Sequence, residues 1–247
     1  MIGSFAMQGP YTMEGPSLLA LYHRIKKING KTCTIEGVGI KRKGQVDLVP
    51  YGKRLIIREG SSYIKVFFGM SGTAVTRKLR NREPSLTINA EDGMRLFFYK
   101  CSLSVLSAEE FHLYYRPETD IMDSLWDPSS AKERILALPS DCIADILLNQ
   151  DVFCGSGNIV KNEVLWRTMV HPLRRIEDIS VEKINEIIEE TIKFSYLFYK
   201  ARVNGSGIRS TLGVYRRRTC PSCGSDIRKE NLGSGKRVTY WCPSCQK

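Results

Sequence analysis

The sequence predicts an α+β chain of several domains: an N-terminal antiparallel β-sandwich with a leading helix, a helical domain, and a C-terminal β-hairpin that carries cysteines. Three observations lead to this prediction. Short β-branched and aromatic runs fill the first half of the chain, helical periods dominate the second half, and two Cys-x-x-Cys pairs lie at the C-terminal end. At 247 residues the chain is long enough for two ordinary domains and a small module.

The first half begins with a helical stretch and continues as strands. Apolar side chains recur at helical spacing over 16–27, at Leu18, Leu19, Tyr22 and Ile25. The segments that follow are short and bounded by Gly, Asn, Asp or Ser: KTCTIEGVGI, KRLIIRE, SYIKVFFGM, LTINA and MRLFFYK. Strands alternating with turns in this way predict an antiparallel sandwich or barrel.

Helical patterns begin after a polar, proline-bearing stretch at 114–124, which predicts a linker. An Asp-Pro pair at 127–128 is typical of a helix start, and Ser140 or Asp141 is a candidate cap for the next segment. Ser180 is the predicted cap of a long helix that follows. The glycine-rich stretch NGSGIRSTLG then predicts a second, flexible linker.

A Gly-Ser-Gly turn stands directly before the amphipathic segment NIVKNEVLW. Backbone N–H groups at a helix N-terminus bind anions, and small residues allow a phosphate to approach. Asn158 is predicted at the cap of this helix with its amide available. Taken alone, this signal is weak, because a Gly-x-Gly sequence before a helix more often only turns the chain.

The charge of the chain is positive and unevenly distributed. The net charge is +11 and the pI about 9.3, and the last 34 residues carry eight Lys and Arg against two Asp and Glu. Such a balance favours a polyanionic partner, most often nucleic acid, although a basic protein without such a partner is the alternative. No apolar run reaches the roughly 18 residues of a membrane span, and the first twelve residues lack the features of a signal peptide. We therefore expect a cytoplasmic protein with no membrane association.

Four cysteines at the C-terminal end form two tight pairs separated by 18 residues: Cys220, Cys223, Cys242 and Cys245. Each pair places two sulfurs on one turn, and two such turns complete a tetrahedron around zinc. A redox dithiol or a site without metal are the alternatives. The intervening DIRKENLGSGKRVTYW predicts a hairpin with Lys236 and Arg237 just after its tip. These cations are suited to a phosphate, or they are solvated turn charges.

Three segments together resemble the formamidopyrimidine-DNA glycosylase and endonuclease VIII family. They are Met-Glu-Gly-Pro before a helix, QDVFCGSGNIVKNEVLW, and RRRTCPSCGSDI with KRVTYWCPSCQ. The resemblance runs from Met13 to Gln246 in the family's order of β-sandwich, helix–two-turns–helix domain and zinc finger. It implies four parts: an extension at 1–12, the catalytic sandwich domain at 13–115, the helix–two-turns–helix DNA-binding domain at 125–212, and the zinc finger at 213–247.

The resemblance implies a base-excision repair DNA glycosylase and AP lyase that removes oxidised bases. In the family an N-terminal amine, usually of proline, attacks C1′, displaces the base and forms a Schiff base, and the strand is cut by elimination. Met13 occupies the place of that proline, and Glu14 matches the catalytic glutamate. An α-amine has a pKa of about 7.7–8.0, so roughly a tenth is unprotonated at neutral pH, far more than for lysine.

Further roles carry over position by position. Lys53 matches a lysine that contacts phosphate and supports catalysis, Asn158 and Arg237 match residues that hold phosphates near the lesion, and Met70 matches a residue that fills the gap left by the flipped base. The implied partner is double-stranded DNA with damaged or abasic sites, bound by a monomer that contains one structural Zn²⁺.

Several departures from the family pattern open an alternative. Ser17 stands where a second glutamate is common, Phe67 and Phe68 replace a histidine, and YKCSLSVL replaces an arginine-bearing loop. A non-catalytic binder of damaged or abasic DNA is therefore the second hypothesis, and a general zinc-ribbon nucleic-acid factor the third. Because catalysis needs a free amine at Met13, residues 1–12 are expected to be a mis-assigned start, a cloning remnant or a removable leader.

Overall fold

The computed structural model describes residues 13–69 and 71–247. The structure divides into two compact units, one ending at Arg116 and the other spanning Pro117–Lys247. The expected extension at 1–12 and the side chain of Met70 lie outside the described residues. In the part of the chain that is described, no helix combines the length and apolar character needed to cross a membrane.

The first unit contains two helices and an eight-stranded antiparallel sheet in its described residues. Helix α1 spans Gly15–Ile25 and helix α2 spans Ala108–Tyr114. The strands follow in the sheet order β5-β7-β6-β1-β2-β3-β4-β8. Their bounds are β1 Lys31–Gly37, β2 Ile40–Tyr51, β3 Arg54–Glu59, β4 Ser62–Phe67, β5 Thr73–Val75, β6 Leu86–Ala90, β7 Arg95–Tyr99 and β8 Ser102–Leu106.

One apolar cluster forms the core of this unit. Ile64 of β4 and Phe98 of β7 are fully buried in the same cluster, although their strands lie toward opposite ends of the sheet. The sheet therefore folds over on itself and encloses the core between its two halves. Leu18 and Leu21 of α1 pack into the same cluster, so the leading helix is part of the core. The predicted α+β fold class with an N-terminal antiparallel sandwich is confirmed.

Two elements near the end of this unit were not predicted, namely β8 and α2. Strand β8 pairs with β4 through the short sequence SLSVL, in which serines alternate with Leu103 and Val105 and the side chains are largely exposed. Helix α2 begins with a capping box in which Ser107 accepts from the N–H of Glu110 and the Glu110 carboxylate accepts from the N–H of Ser107. This Ser-x-x-Glu signal is visible in the sequence and identifies the helix start.

The second unit contains four helices and a two-stranded hairpin in its described residues. They are α3 Pro128–Leu136, α4 Ile143–Ile146, α5 Asn158–Arg167, α6 Val181–Val203, β9 Arg228–Leu232 and β10 Arg237–Trp241. Asp127 caps α3 by accepting from the N–H of Ser129 at 2.9 Å, and Ser180 caps α6 by accepting from the N–H of Lys183 at 3.3 Å. Both helix starts and the hairpin agree with the sequence patterns.

Two sequence predictions in this unit are wrong. Cys142, not Ser140 or Asp141, occupies the cap position of α4, and it makes no side-chain cap. None is needed, because the N–H groups of Ile143 and Ala144 bond to backbone carbonyls of the 172–174 segment. The linker predicted at 114–124 is also too long, because residues 119–122 are buried within the second unit.

Candidate functional site

The start of α1 holds Met13 and Glu14 in a buried position. Met13 is 5% exposed and Glu14 only 1% exposed. Glu14 is the helix cap, with extended backbone, and its carbonyl accepts the N–H of Leu18 at 2.9 Å. The nitrogen of Met13 donates to the carbonyl of Gly69 at 3.5 Å. The structure thus brings the predicted nucleophilic position to the FFGMSG segment, in which Met70 follows Gly69.

Lys53 lies in the tight turn that joins β2 to β3. Gly52 supplies the left-handed backbone of this turn, with φ of +55°. The preceding residue, Tyr51, is buried, and its ring makes edge contacts with Tyr114 and Tyr115 at centroid distances of 5.3 and 5.1 Å. The half-buried Lys53 is therefore carried by a turn whose base is fixed by aromatic packing.

The four C-terminal cysteines form a cluster that fits a metal ion. All four Sγ atoms lie within 4.8 Å of one another, with Cys220 and Cys245 3.9 Å apart and Cys223 and Cys242 3.4 Å apart. A tetrahedral ion with sulfurs at about 2.3 Å separates its ligands by about 3.8 Å. The donor set and its spacing therefore match a tetrahedral thiolate site.

The thiols of this cluster differ in acidity. Hydrogen bonds with Ser225 lower the pKa of the Cys223 thiol to about 6. A hydrogen bond with Cys223, together with burial, raises the pKa of the Cys245 thiol to about 12. Thiolates packed this closely repel one another, so their joint ionisation is favoured by a bound cation.

Helix α5 is bonded directly to strand β10 of the hairpin. The Asn158 side-chain N–H donates to the carbonyl of Val238 at 2.7 Å, and the N–H of Tyr240 donates to Asn162 Oδ1 at 2.9 Å. The fully buried Lys161 donates from Nζ to Thr239 Oγ1 at 2.7 Å. These bonds hold β10, the second strand of the hairpin, against α5, and β10 begins at Arg237.

Two predicted phosphate-binding residues come together here. The cap of α5 is Gly157, so the prediction that Asn158 occupies the cap is wrong; Asn158 is the first helical residue. Its amide bonds to the carbonyl of Val238, the neighbour of the exposed Arg237. Gly157, the last residue of the Gly-Ser-Gly turn, has an extended backbone and no side chain. Helix α5 therefore begins without a side-chain cap hydrogen bond.

The hairpin tip is held by Asp145 of α4, a residue that sequence reasoning missed. Asp145 Oδ2 accepts from the N–H of Ser234 at 2.7 Å. Gly233 has a left-handed backbone with φ of +78°, and a Cβ at this position would meet Asp145 Oδ1 at 2.3 Å, so any other residue would be strained and would displace the Asp145 carboxylate. The contact joins positions 89 residues apart, and no local pattern indicates it. It positions the tip that leads to Arg237.

Glu163 of α5 holds the segment between α6 and the hairpin. Its fully buried carboxylate accepts the N–H groups of Gly213, Val214 and Tyr215 at 2.7, 3.0 and 2.8 Å. Burial raises the pKa of Glu163, while these backbone hydrogen bonds act in the opposite direction. The flexible linker predicted for NGSGIRSTLG is therefore wrong at its C-terminal end, where the chain is fixed to the helix.

No protein-family model matches the chain. Among curated proteins it is similar to endonuclease 8-like 3 of Xenopus laevis, with 31% identity over 206 residues that cover 79% of this chain and 33% of the relative. It is also similar to endonuclease 8-like 2 of Homo sapiens, with 28% identity over 203 residues that cover 76% of this chain and 58% of the relative. The chain thus spans about a third of the former relative and under two thirds of the latter.

Solved structures share the fold over nearly the whole chain. A viral DNA glycosylase matches with a TM-score of 0.79 and 20% identity, covering 95% of this chain and 100% of that one. The Lactococcus lactis formamidopyrimidine DNA glycosylase, bound non-covalently to DNA containing an AP site, matches with a TM-score of 0.80 and 20% identity, covering 95% and 99%.

Proposed function

Because the chain belongs to the formamidopyrimidine-DNA glycosylase and endonuclease VIII family, we propose that it is a base-excision repair DNA glycosylase with AP lyase activity on oxidised bases. One observation carries the proposal. Met13 and Glu14 are consecutive buried residues at the start of α1, and the nitrogen of Met13 donates to the carbonyl of Gly69. The first two residues that the structure describes therefore supply a main-chain nitrogen, from Met13, and a carboxylic acid, from Glu14.

The proposed chemistry needs Met13 to bear a free α-amine. The unprotonated nitrogen attacks C1′, the C1′–N bond breaks, and the base leaves with the bonding electrons and takes up a proton. The nitrogen loses a proton, and its lone pair then expels O4′ from C1′, so the sugar ring opens, O4′ takes up a proton and a Schiff base forms. Removal of a proton from C2′ then breaks the C3′–O bond, and the 3′ phosphate leaves. Glu14 transfers protons at the sugar. With a pKa of about 7.7–8.0, an α-amine supplies the reactive form near neutral pH without a strongly perturbed site.

The DNA contacts are proposed for residues of both units. Lys53, on its fixed turn, contacts a phosphate near the reacting sugar. Asn158 has two amide N–H donors, of which the Val238 carbonyl takes one, so the other is suited to a phosphate oxygen. Arg237 is exposed just after the hairpin tip and suits bidentate phosphate binding. Met70 is proposed to fill the gap left by a flipped nucleotide.

The thiolate cluster is proposed to hold one structural Zn²⁺ per chain. Four sulfurs without an open ligand position are typical of zinc that supports a fold rather than catalysis. The ion would fix the two knuckles that flank the hairpin and so the strand that begins at Arg237. Double-stranded damaged or abasic DNA as partner, a monomeric state and a cytoplasmic location with access to the chromosome complete the proposal.

A non-catalytic binder of damaged or abasic DNA is the second candidate function. Phe67 and Phe68 occupy the place of a family histidine, and Phe68 is fully buried in the core. That position therefore offers no polar group to DNA. The binder would keep the DNA contacts and the zinc site but form no Schiff base.

A nicking assay separates the two functions. The protein beginning at Met13 is incubated with an end-labelled duplex that contains one abasic site, beside Glu14→Gln and, as control, Glu36→Gln of an exposed β1 residue. The glycosylase proposal predicts nicking that Glu14→Gln reduces by at least about tenfold and Glu36→Gln leaves unchanged. Gel-shift binding without nicking, equal in all three proteins, supports the binder instead.

A further inference from the structure

A strongly cationic stretch runs from the last turn of α6 through the first cysteine knuckle. Residues 201–224 contain five arginines and no acidic residue. Four of these arginines line a pocket of about 600 Å³: Arg209, Arg216, Arg217 and Arg218. Leu212 and Pro221 add apolar surface to the lining. The residues that hold this pocket differ from Asn158 and Arg237.

The pocket is formed in advance of any ligand, because its walls are bonded to one another. Arg217 donates from Nη2 to the carbonyl of Arg209 at 2.6 Å and from Nε to the carbonyl of Leu212 at 3.2 Å. On the other side, Gly213 lies against the ring of Trp166 so closely that a Cβ would meet it at 2.2 Å. The Arg217 guanidinium therefore closes the loop, while the other three arginines that line the pocket are exposed.

The remaining three arginines are exposed side chains on this fixed frame: Arg209, Arg216 and Arg218. Arg216 adopts a left-handed backbone with φ of +57°, which is strained for a residue other than glycine. Its guanidinium lies over the ring of Tyr215, 5.5 Å from the centroid, which orients the charge. Arg216 also lines the pocket, and residues held in such sparsely populated backbone conformations cluster at ligand sites.

We propose that this pocket binds a phosphodiester segment of the DNA strand about one nucleotide long, separately from the contacts of Asn158 and Arg237. Guanidinium groups match phosphate oxygens in charge and geometry, and the apolar lining suits a sugar. The volume falls within the roughly 300–1,000 Å³ of small-ligand pockets. The identification of DNA as the ligand rests on the proposed function, whereas the anionic character of the ligand follows from the pocket itself.

The test measures how DNA affinity depends on salt. Zinc-loaded protein is titrated by fluorescence anisotropy with a duplex containing a tetrahydrofuran abasic analogue, between about 50 and 200 mM salt. The variant Arg209→Ala/Arg218→Ala is expected to bind roughly tenfold more weakly and to reduce the slope of log K against log salt by about two. The control Arg175→Ala removes an exposed arginine of the same unit that is paired with Glu177, and it should change the slope much less.

A double variant with the slope and affinity of the control overturns the proposal. If the wild-type protein fails to nick but the double variant still loses affinity, the pocket stands and the catalytic proposal fails. Titration with free dAMP tests the other phosphate source. Binding of dAMP that the double variant loses, with the duplex slope unchanged, overturns the proposal in favour of a nucleotide site. Should the alanine pair unfold, Arg209→Gln/Arg218→Gln is measured in its place.

Discussion

The substitution Glu163→Gln tests how the hairpin is held to the helical part of the second unit. The carboxylate accepts three backbone N–H groups and has no exposed surface. Glutamine has nearly the same shape but only one acceptor oxygen. The change therefore removes the charge and one acceptor while leaving the packing in place.

The magnitude follows from the two carboxylate oxygens. Oε1 accepts from Val214 and Tyr215, and Oε2 accepts from Gly213. The better glutamine rotamer keeps its oxygen at the Oε1 position, so its NH₂ group faces the N–H of Gly213. That buried N–H then has no acceptor, which costs about 1–3 kcal/mol of folding free energy. The other two bonds lose their charge assistance, while removal of a buried charge returns part of the loss. We expect a net destabilisation of about 2–3 kcal/mol.

Tryptophan fluorescence during urea unfolding measures this loss in the relevant unit. The chain has three tryptophans, Trp126, Trp166 and Trp241, and all lie in the second unit. With an m value of about 1.5 kcal/mol/M, the midpoint should fall by about 1.3–2 M urea. The exposed Glu189→Gln of α6 is the matched control and should shift the free energy of unfolding by no more than about 0.5 kcal/mol. A Glu163→Gln shift as small as the control's would refute the assigned role of the carboxylate.

Three further substitutions test other parts of the second unit. Asp145→Ala releases the N–H of Ser234 and should weaken abasic-duplex binding several-fold in an anisotropy titration, while the free energy of unfolding measured by tryptophan fluorescence changes by less than about 1 kcal/mol. Unchanged affinity would contradict the positioning role. Cys223→Ser removes one of four thiolates and should lower zinc content, measured by a colorimetric chelator, from one per chain to well under one; full zinc retention would argue against the cluster as the site. Gly213→Ala places a methyl group inside the Trp166 ring and should destabilise the unit by about 1–3 kcal/mol in the urea assay, and a neutral result would contradict the close packing.

Features determined by neighbouring residues could be predicted from the sequence. The caps at Asp127 and Ser180 involve hydrogen bonds that reach two or three residues along the chain, so the residue types alone identify them. The hairpin follows from the Gly-Ser-Gly tip and the strand-forming Val238, Tyr240 and Trp241 after it, and the cysteine cluster follows from two tight pairs. The Met13–Glu14 pair was identified through the resemblance of Met-Glu-Gly-Pro to the family's N-terminal motif, which stands just before an apolar helix.

Features that depend on distant contacts could not be predicted. The bonds from Asn158 to Val238 and from Glu163 to Gly213 join positions 80 and 50 residues apart. A local pattern does not show which distant backbone group a side chain will bond. One signal was available: the run Lys161, Asn162 and Glu163 is polar and stands inside an otherwise apolar helical segment, and all three side chains are fully buried. Consecutive buried polar residues require partners, which indicates an interface rather than a solvated face.

Trapping the reaction intermediate tests the central claim most directly, namely that the nitrogen of Met13 is the nucleophile. The protein beginning at Met13 is incubated with an abasic duplex and sodium borohydride, and the covalent complex is digested and mapped by mass spectrometry. The account predicts that the reduced sugar remnant is attached to the α-nitrogen of the peptide that begins at Met13, and that Glu14→Gln lowers its yield. The absence of a trapped complex, or a remnant on a lysine such as Lys53, would contradict it.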